Sequence, residues 1–382
     1  MKLIAKTLYG LESVLAKELT DLGASGIVIA NRAVQFQGDL RMLYCASYML
    51  RSAISLLWQV SEFSIRSSDD LYNRSLRIEW ERLMDVENTF SIVPVVQSQH
   101  FNHTGFAALR LKDAVADYFR NKTGKRPSVD NSNPDILINL HISNDRVNIS
   151  LDSSVEPLFK RGYRKEAFEA PLNEVLAAGM LLLSGWNAGS DLIDPMCGSG
   201  TIPIEAAMIA CRIPAGKFRR EFGFQKWRNY NESLFDSVRA EYDSFIVGDP
   251  GVEITGYDIS PDAVAGANQN LHNAGLDKVL KVEELDFRNF HPAEGKRGYI
   301  FINPPYGERL SGGETDTLYS MIGSTLKHNC HGFTAWLVSP NKESMKFIGL
   351  KPSAKHTLYN GSLECVFARY ELYEGSRKGG RQ

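Results

Sequence analysis

Read for the spacing of its apolar positions, the chain changes rhythm partway along. Residues 1–55 mix period-two and helical patterns, predicting strand (3–8), helix (10–22), strand (26–30), strand (33–37) and helix (39–50). Residues 56–155 continue in the same manner, with a strand at Phe90–Val96 and a helix at Phe106–Asn121. In that helix Leu111, Val115, Tyr118 and Phe119 share one face, at i, i+4, i+7 and i+8. Strands at Ile136–Ile142 and Val147–Asp152 follow, joined by the turn Ser143-Asn144-Asp145-Arg146. From about residue 170 the pattern becomes βα repeats, which predicts a parallel, doubly wound sheet. Two late runs, Thr334–Val338 and Leu363–Tyr373, read as closing strands, the longer one an antiparallel edge. The basic tail 376–382 reads as disordered.

Several strand ends in the second half carry candidate chemistry. Tyr299-Ile300-Phe301-Ile302 leads into Asn303-Pro304-Pro305-Tyr306. Ligands bind at the C-terminal edge of open α/β sheets. Asn303 offers an amide oxygen there, and Pro305 holds Pro304 extended, so the Pro304 carbonyl is a second fixed acceptor. Two acceptors suit an exocyclic amine on a flat ring, and Tyr306 offers a face for that ring to stack on. Pulling on both amine hydrogens favours the pyramidal, nucleophilic nitrogen, so the segment reads as a device for methylating a nucleobase amine. A proline-stiffened turn is the plainer reading of the same residues.

A second segment, Leu192-Ile193-Asp194-Pro195-Met196-Cys197-Gly198-Ser199-Gly200-Thr201, reads as strand, glycine turn and then a helix from Ile202 to Ala210. Its glycines allow close approach of backbone to ligand, and the helix N-terminus suits a carboxylate. Pro203 occupies the third glycine position of a nicotinamide fingerprint, and no suitable acid ends a second strand about 20 residues on, which excludes a dinucleotide oxidoreductase. Asp258 instead ends the strand Glu253–Tyr257, and Asp286 follows Leu280–Leu285. Asp258 also stands where a helix N-cap would, just before Ser260 and Pro261.

In this order the strand-end motifs resemble those of class I S-adenosylmethionine methyltransferases. Residues 90–165, with RPSVDNSNPDILINLHI and SLDSSVEPLFKRGYRKE, resemble a THUMP RNA-binding domain. From about residue 3 to 373 the chain resembles bacterial 23S rRNA guanine-N2 methyltransferases of the RlmL type, in their single-methyltransferase form; APLNEVLAAGMLLLSGW, DPMCGSGTIPIEAAM and FINPPYGERL carry the likeness. The resemblance implies an α/β chain: a Rossmann-like methyltransferase sheet preceded by an α+β region. It implies a ferredoxin-like subdomain at 1–55, THUMP at 56–160 and the methyltransferase at 161–375. The implied cofactor is S-adenosylmethionine. Its binding set would be Asp194, Pro195, Cys197, Gly198, Gly200, Thr201, Asp258, Ile259, Asp286, Phe287 and Asn303. Asp258 would take the ribose hydroxyls and Asp286 the adenine amine, while Cys197 packs rather than attacks. Asn303, Pro304 and Tyr306 would serve the base, with no metal and no general base.

A formal charge of −2 excludes a polycation that coats nucleic acid, so any RNA surface must be local. Basic residues outnumber acidic ones only in the N-terminal part, up to residue 165. Candidate RNA contacts are Arg120, Lys122, Lys125 and Arg126, then Lys160, Arg161, Arg164 and Lys165. Arg219, Arg220, Lys226 and Arg228 add a third cluster, interleaved with aromatics in an insertion expected near the cofactor loop. The partner implied is 23S rRNA or a large-subunit assembly intermediate. A tRNA guanine-N2 or nucleic-acid adenine-N6 methyltransferase, or a silent RNA-binding assembly factor, are the rivals. Five cysteines without a CxxC pair, no signal-peptide core and no apolar run long enough for a bilayer predict a cytoplasmic protein without membrane contact.

Overall fold

A computed structural model describes residues 1–101, 103–164, 172–305 and 312–374. The chain divides into two compact units: Met1–Thr7, Leu15–Lys160 and Arg219–Glu241 form the first, and Leu8–Val14, Arg161–Phe218 and Tyr242–Gln382 the second. Lys165, Tyr306 and the basic tail lie outside the described residues. Among the described residues no helix is long and apolar enough to cross a membrane.

The first unit is built on strands β1 (Lys2–Thr7), β2 (Ser25–Ala30), β3 (Ala33–Gln37), β4 (Ala53–Ser64), β5 (Phe90–Gln97), β6 (Ile136–Ser143) and β7 (Arg146–Asp152). They form one sheet in the order β2-β3-β1-β4-β7-β6-β5. β4 spans 12 residues and pairs with β1 on one side and β7 on the other. The expected boundary between residues 55 and 56 therefore cuts a central strand. Its period-two signal is weak because Leu56 and Leu57, on opposite faces, are both buried. β5 closes one edge, and Pro94 is tolerated there because an edge strand can spare a backbone donor.

The helices of this unit include α1 (Glu12–Asp21), whose first residues belong to the second unit, α2 (Leu40–Met49), α3 (Ser68–Ser75) and α4 (Thr104–Thr123). α4 buries Leu111, Val115, Tyr118 and Phe119 and ends at Gly124, whose φ of +73° closes the last turn.

The second unit carries α5 (Glu174–Leu183), β8 (Asp191–Asp194), α6 (Thr201–Ala210), α7 (Glu232–Asp243, shared with the first unit), β9 (Ile254–Asp258), α8 (Pro261–Asn273), β10 (Leu280–Glu284), β11 (Gly298–Ile302), α9 (Gly312–Asn329), β12 (Thr334–Ser339), β13 (Ala354–Asn360) and β14 (Leu363–Glu371). The sheet order is β10-β9-β8-β11-β12-β14-β13, parallel from β10 to β12. β14 runs antiparallel to β12 but is not the edge, because β13 pairs along its other side. β11 lies near the middle with Ile300, Phe301 and Ile302 buried, as a strand covered on both faces requires. The direction of winding reverses between β8 and β11, so a crevice opens at their C-terminal ends.

Candidate active site

That crevice is a cleft of about 830 Å³. Asp194 ends β8, Asp258 ends β9, Asp286 follows β10 and Asn303 follows β11, and all four line it. Parallel strands in one register deliver their successors to a common edge, which is why residues up to 109 positions apart meet.

In the loop after β8, Asp194 is buried and its Oδ1 accepts from Met196 N at 3.1 Å. Burial, reinforced by the charge of Asp258, pushes its carboxyl well above the usual carboxylate range. Gly198, at φ +52°, lines the cleft and donates its N–H to Asp258 Oδ2 at 2.9 Å. Asp258 Oδ1 accepts from Ser260 N, so this carboxylate ties the two loops together as well as facing the cleft. The N-cap of α8 is Ser260 itself, which accepts from Ala263 N, with Pro261 opening the helix. Gly200 differs from the expectation. At φ +80° it caps α6 with a Cβ position only 3.1 Å from Ala267 of α8, and it does not line the cleft. Its need for glycine comes from that left-handed backbone and from helix packing, not from a ligand.

Pro195, Cys197, Thr201, Ile259 and Phe287 also line the cleft. Ile259 is 62% exposed there, an open apolar surface suited to one face of an adenine ring. Cys197 is buried, and desolvation followed by the charges of Asp194 and Asp258 pushes its thiol well up, which removes it as a nucleophile. Asp286 is held below its usual range by hydrogen bonds from Arg288, whose backbone and guanidinium nitrogens donate to both carboxylate oxygens, so a ligand's donor there would share Asp286 with Arg288. The cofactor-shaped features thus coexist in one place: an exposed apolar face, carboxylates at successive strand ends and a glycine turn.

Asn303 carries the strongest sign of an incomplete site. Its Oδ1 is buried and accepts no hydrogen bond among the described residues. The Pro304 carbonyl likewise receives no donor from a described residue. A buried acceptor without a partner costs roughly 1–3 kcal/mol, a cost that a bound amine would remove. Pro305 also lines the cleft, and on the far wall Glu314, Thr317, Leu318 and Met321 of α9 join it. Sequence reading passed over these four, although their i, i+3, i+4, i+7 spacing marks one helix face. Arg288 and Asp262 were missed as well.

The basic candidates divide. Arg161 is 1% exposed and paired with Glu205, so it cannot reach RNA. Arg164 is bound inside the second unit, to Glu174, Ser199 and Thr201. Arg219 donates to the carbonyls of Ser154, Glu156, Pro157 and Lys160, bracing that loop within the first unit. Arg120, Lys122, Lys125, Lys160, Lys226 and Arg228 pair with Asp117, Glu81, Glu87, Glu156, Asp135 and Asp85. Arg126 and Arg220 are exposed and have no acidic partner among the described residues. The insertion that holds Arg219–Arg228 belongs to the first unit, not to the cofactor loop. Its aromatics are core: Phe224 packs 4.6 Å from Tyr44, and Trp227 lies 5.5 Å from Trp58 (ring centroids). They are closed to stacked bases.

Comparison with known proteins matches three domain families to this chain. The RMKL-like methyltransferase domain family matches residues 161–369, the THUMP domain family 66–152 and the RlmL ferredoxin-like domain family 2–54. The Ribosomal RNA large subunit methyltransferase K/L of Syntrophotalea carbinolica is 37% identical over 98% of this chain and 54% of its own. The chain thus spans about half the length of such relatives. A Synechocystis sp. protein named "Putative RNA methyltransferase slr0064" is 34% identical over 95% of both chains. The crystal structure of SMU.472 complexed with SAH superposes with a TM-score of 0.88 at 29% identity, covering 98% of this chain and 99% of that one.

Proposed function

The chain belongs to the RMKL-like methyltransferase family, and on that premise we propose that it methylates the exocyclic N2 amine of a guanine in 23S rRNA, using S-adenosylmethionine. The observation that carries the base chemistry is the buried, unpartnered Asn303 Oδ1 beside a Pro304 carbonyl that takes no donor from a described residue. The relatives named as large-subunit ribosomal RNA methyltransferases support the RNA class, and the THUMP match supports structured RNA. The SAH complex of SMU.472 supports the cofactor. The five cysteines, all free and buried, suit a reducing cytoplasm.

When bound, S-adenosylmethionine supplies a methyl group on a sulfonium. Asp258 would accept from its ribose hydroxyls, and Asp286 from its adenine amine, with Ile259 and Phe287 against the ring. Asp194 would face the ammonium of the amino-acid end, whose positive charge draws the raised carboxyl back to its ionised form. Asn303 and Pro304 accept the two hydrogens of the target amine and so hold its lone pair out of conjugation. Asn303 is a neutral amide and takes no proton; the extra proton of the methylated amine passes to water. Tyr306 is proposed to stack on the flipped base. Arg126 and Arg220 are the cations best placed to meet RNA phosphates, with the exposed pairs around them able to exchange partners.

Incubating the purified protein with S-adenosylmethionine and 23S rRNA, then digesting to nucleosides for mass analysis, should yield N2-methylguanosine. N6-methyladenosine alone would overturn the choice of base. Equal or better methylation of tRNA would overturn the choice of RNA. No methylated nucleoside, on naked RNA or on large-subunit particles, would overturn the activity.

A further inference from the structure

Arg164 sits just after the end of the first unit's long segment, yet its side chain is spent at the cofactor loop. Its side chain is 13% exposed, and Nε pairs with Glu174 Oε1 at 3.1 Å. Its other two nitrogens reach past that pair: Nη1 donates to Ser199 Oγ at 2.9 Å and Nη2 to Thr201 Oγ1 at 2.8 Å. A guanidinium donates and never accepts. Both hydroxyl oxygens must therefore accept from it, which turns each O–H proton elsewhere. Neither hydroxyl donates to another described residue, and both residues line the cleft. The loop is also held from behind, where Asn270, buried on α8, donates to Ser199 O at 3.1 Å. Thr201 is the first residue of α6, so unsatisfied N–H groups of the first helical turn lie in the same loop.

Two oriented hydroxyl donors, backed by a cation and set at a helix start, make a receptor for an anion. The rest of the cleft limits which anion. Asp258 and Asp286 would repel a phosphate dianion, but with Asp194 they match a zwitterion whose ammonium faces Asp194 and whose carboxylate lies away from it. We infer that Arg164 is a positioning residue that, through Ser199 and Thr201, fixes the carboxylate at the amino-acid end of S-adenosylmethionine. This rests on the methyltransferase reading above and adds a residue that its charge alone would have assigned to RNA.

The test compares calorimetric binding of S-adenosylmethionine and of its decarboxylated analogue, which keeps the amine, to the full chain. Thr201→Val keeps the shape and the Arg164–Glu174 pair but removes one O–H. Arg164→Lys keeps a cation for Glu174 but cannot fork to both hydroxyls. The wild-type protein should prefer S-adenosylmethionine by about tenfold or more, as charge-assisted hydrogen bonds to a carboxylate give. Either variant should shrink that preference to within about threefold, with the affinity for the decarboxylated analogue nearly unchanged. If the variants weaken both ligands by one common factor, Arg164 merely supports the loop and the inference fails while the methyltransferase reading stands. A wild-type protein that binds both ligands equally would also overturn the inference alone; one that binds neither would overturn both.

Discussion

The stretches 120–126 and 160–164 look alike in the sequence, each a run of cations near an aromatic residue, and the fold treats them oppositely. Lys122 and Lys125 stay exposed in the first unit and pair across its surface with Glu81 and Glu87. Arg161, in the second unit, is buried against Glu205, whose carboxylate also accepts from Tyr163. An exposed pair is screened by water and can exchange partners when a phosphate arrives. A buried pair cannot open without stranding a charge. The cleft adds a third case, in which buried acceptors such as Asn303 Oδ1 are left open. Solvent access and satisfaction, more than residue type, separate a strut from a binding group.

The sharpest way to break this comparison is at the strut. Arg161→Met strips the buried Glu205 of its cation and leaves it only the Tyr163 hydroxyl, and should cost roughly 3–5 kcal/mol in denaturant unfolding. A loss within the range of a surface pair would show that the burial is not real in solution. At the cleft the opposite is expected. Asn303→Ala should lower single-turnover methylation by about 10²–10³-fold, as removing one aimed hydrogen-bonding group does elsewhere. Its melting temperature should stay level or rise, because an unsatisfied buried acceptor has been removed. A fall in stability matching the fall in rate would make Asn303 a structural residue.

Asp194 sharpens the contrast through pH. Burial raises its folded-state pKa above that of the unfolded chain, so the folded protein holds a proton that the unfolded one releases. Stability is therefore lost as pH rises from the ordinary Asp value of about 3.9 through the raised folded value. Asp194→Asn should be more stable than the parent at neutral pH, converge with it below that value, and bind S-adenosylmethionine more weakly. Thermal melts across pH check the sign: a variant less stable at neutral pH would mean the carboxylate is stabilised in the fold. The smallest effect belongs to the exposed cations. Arg126→Ala should leave the melting temperature unchanged and flatten the salt dependence of RNA binding by about one phosphate contact. An unchanged slope in filter binding would move the RNA elsewhere, with Arg220 the next position to test.

Much of the fold was legible where pattern and period agree. The faces of α4, the loop after β8 and the strand before Asn303 follow from apolar spacing and glycine placement. β4 and β13 were harder. β4 is buried on both faces in its first half, and β13, read from Ala354-Lys355-His356-Thr357, alternates without a strong apolar partner set. The cleft's own acids and amide were readable because strand ends advertise them, whereas its α9 wall is ordinary helix surface until the topology brings it to the crevice.

By itself the sequence determined the order of strand-end motifs, and with it a parallel sheet whose C-terminal edge gathers Asp194, Asp258, Asp286 and Asn303. It also determined that any RNA surface would be local, because the net charge is small. Tertiary structure alone decided which cations are available, since burial and pairing depend on residues 44 positions away, as between Arg161 and Glu205. It also decided that Arg219–Glu241 complete the first unit and Leu8–Val14 the second. Phe224 against Tyr44 shows the reason: the aromatics of the insertion find buried partners only in a distant segment, and sequence distance carries no record of which apolar surfaces will meet.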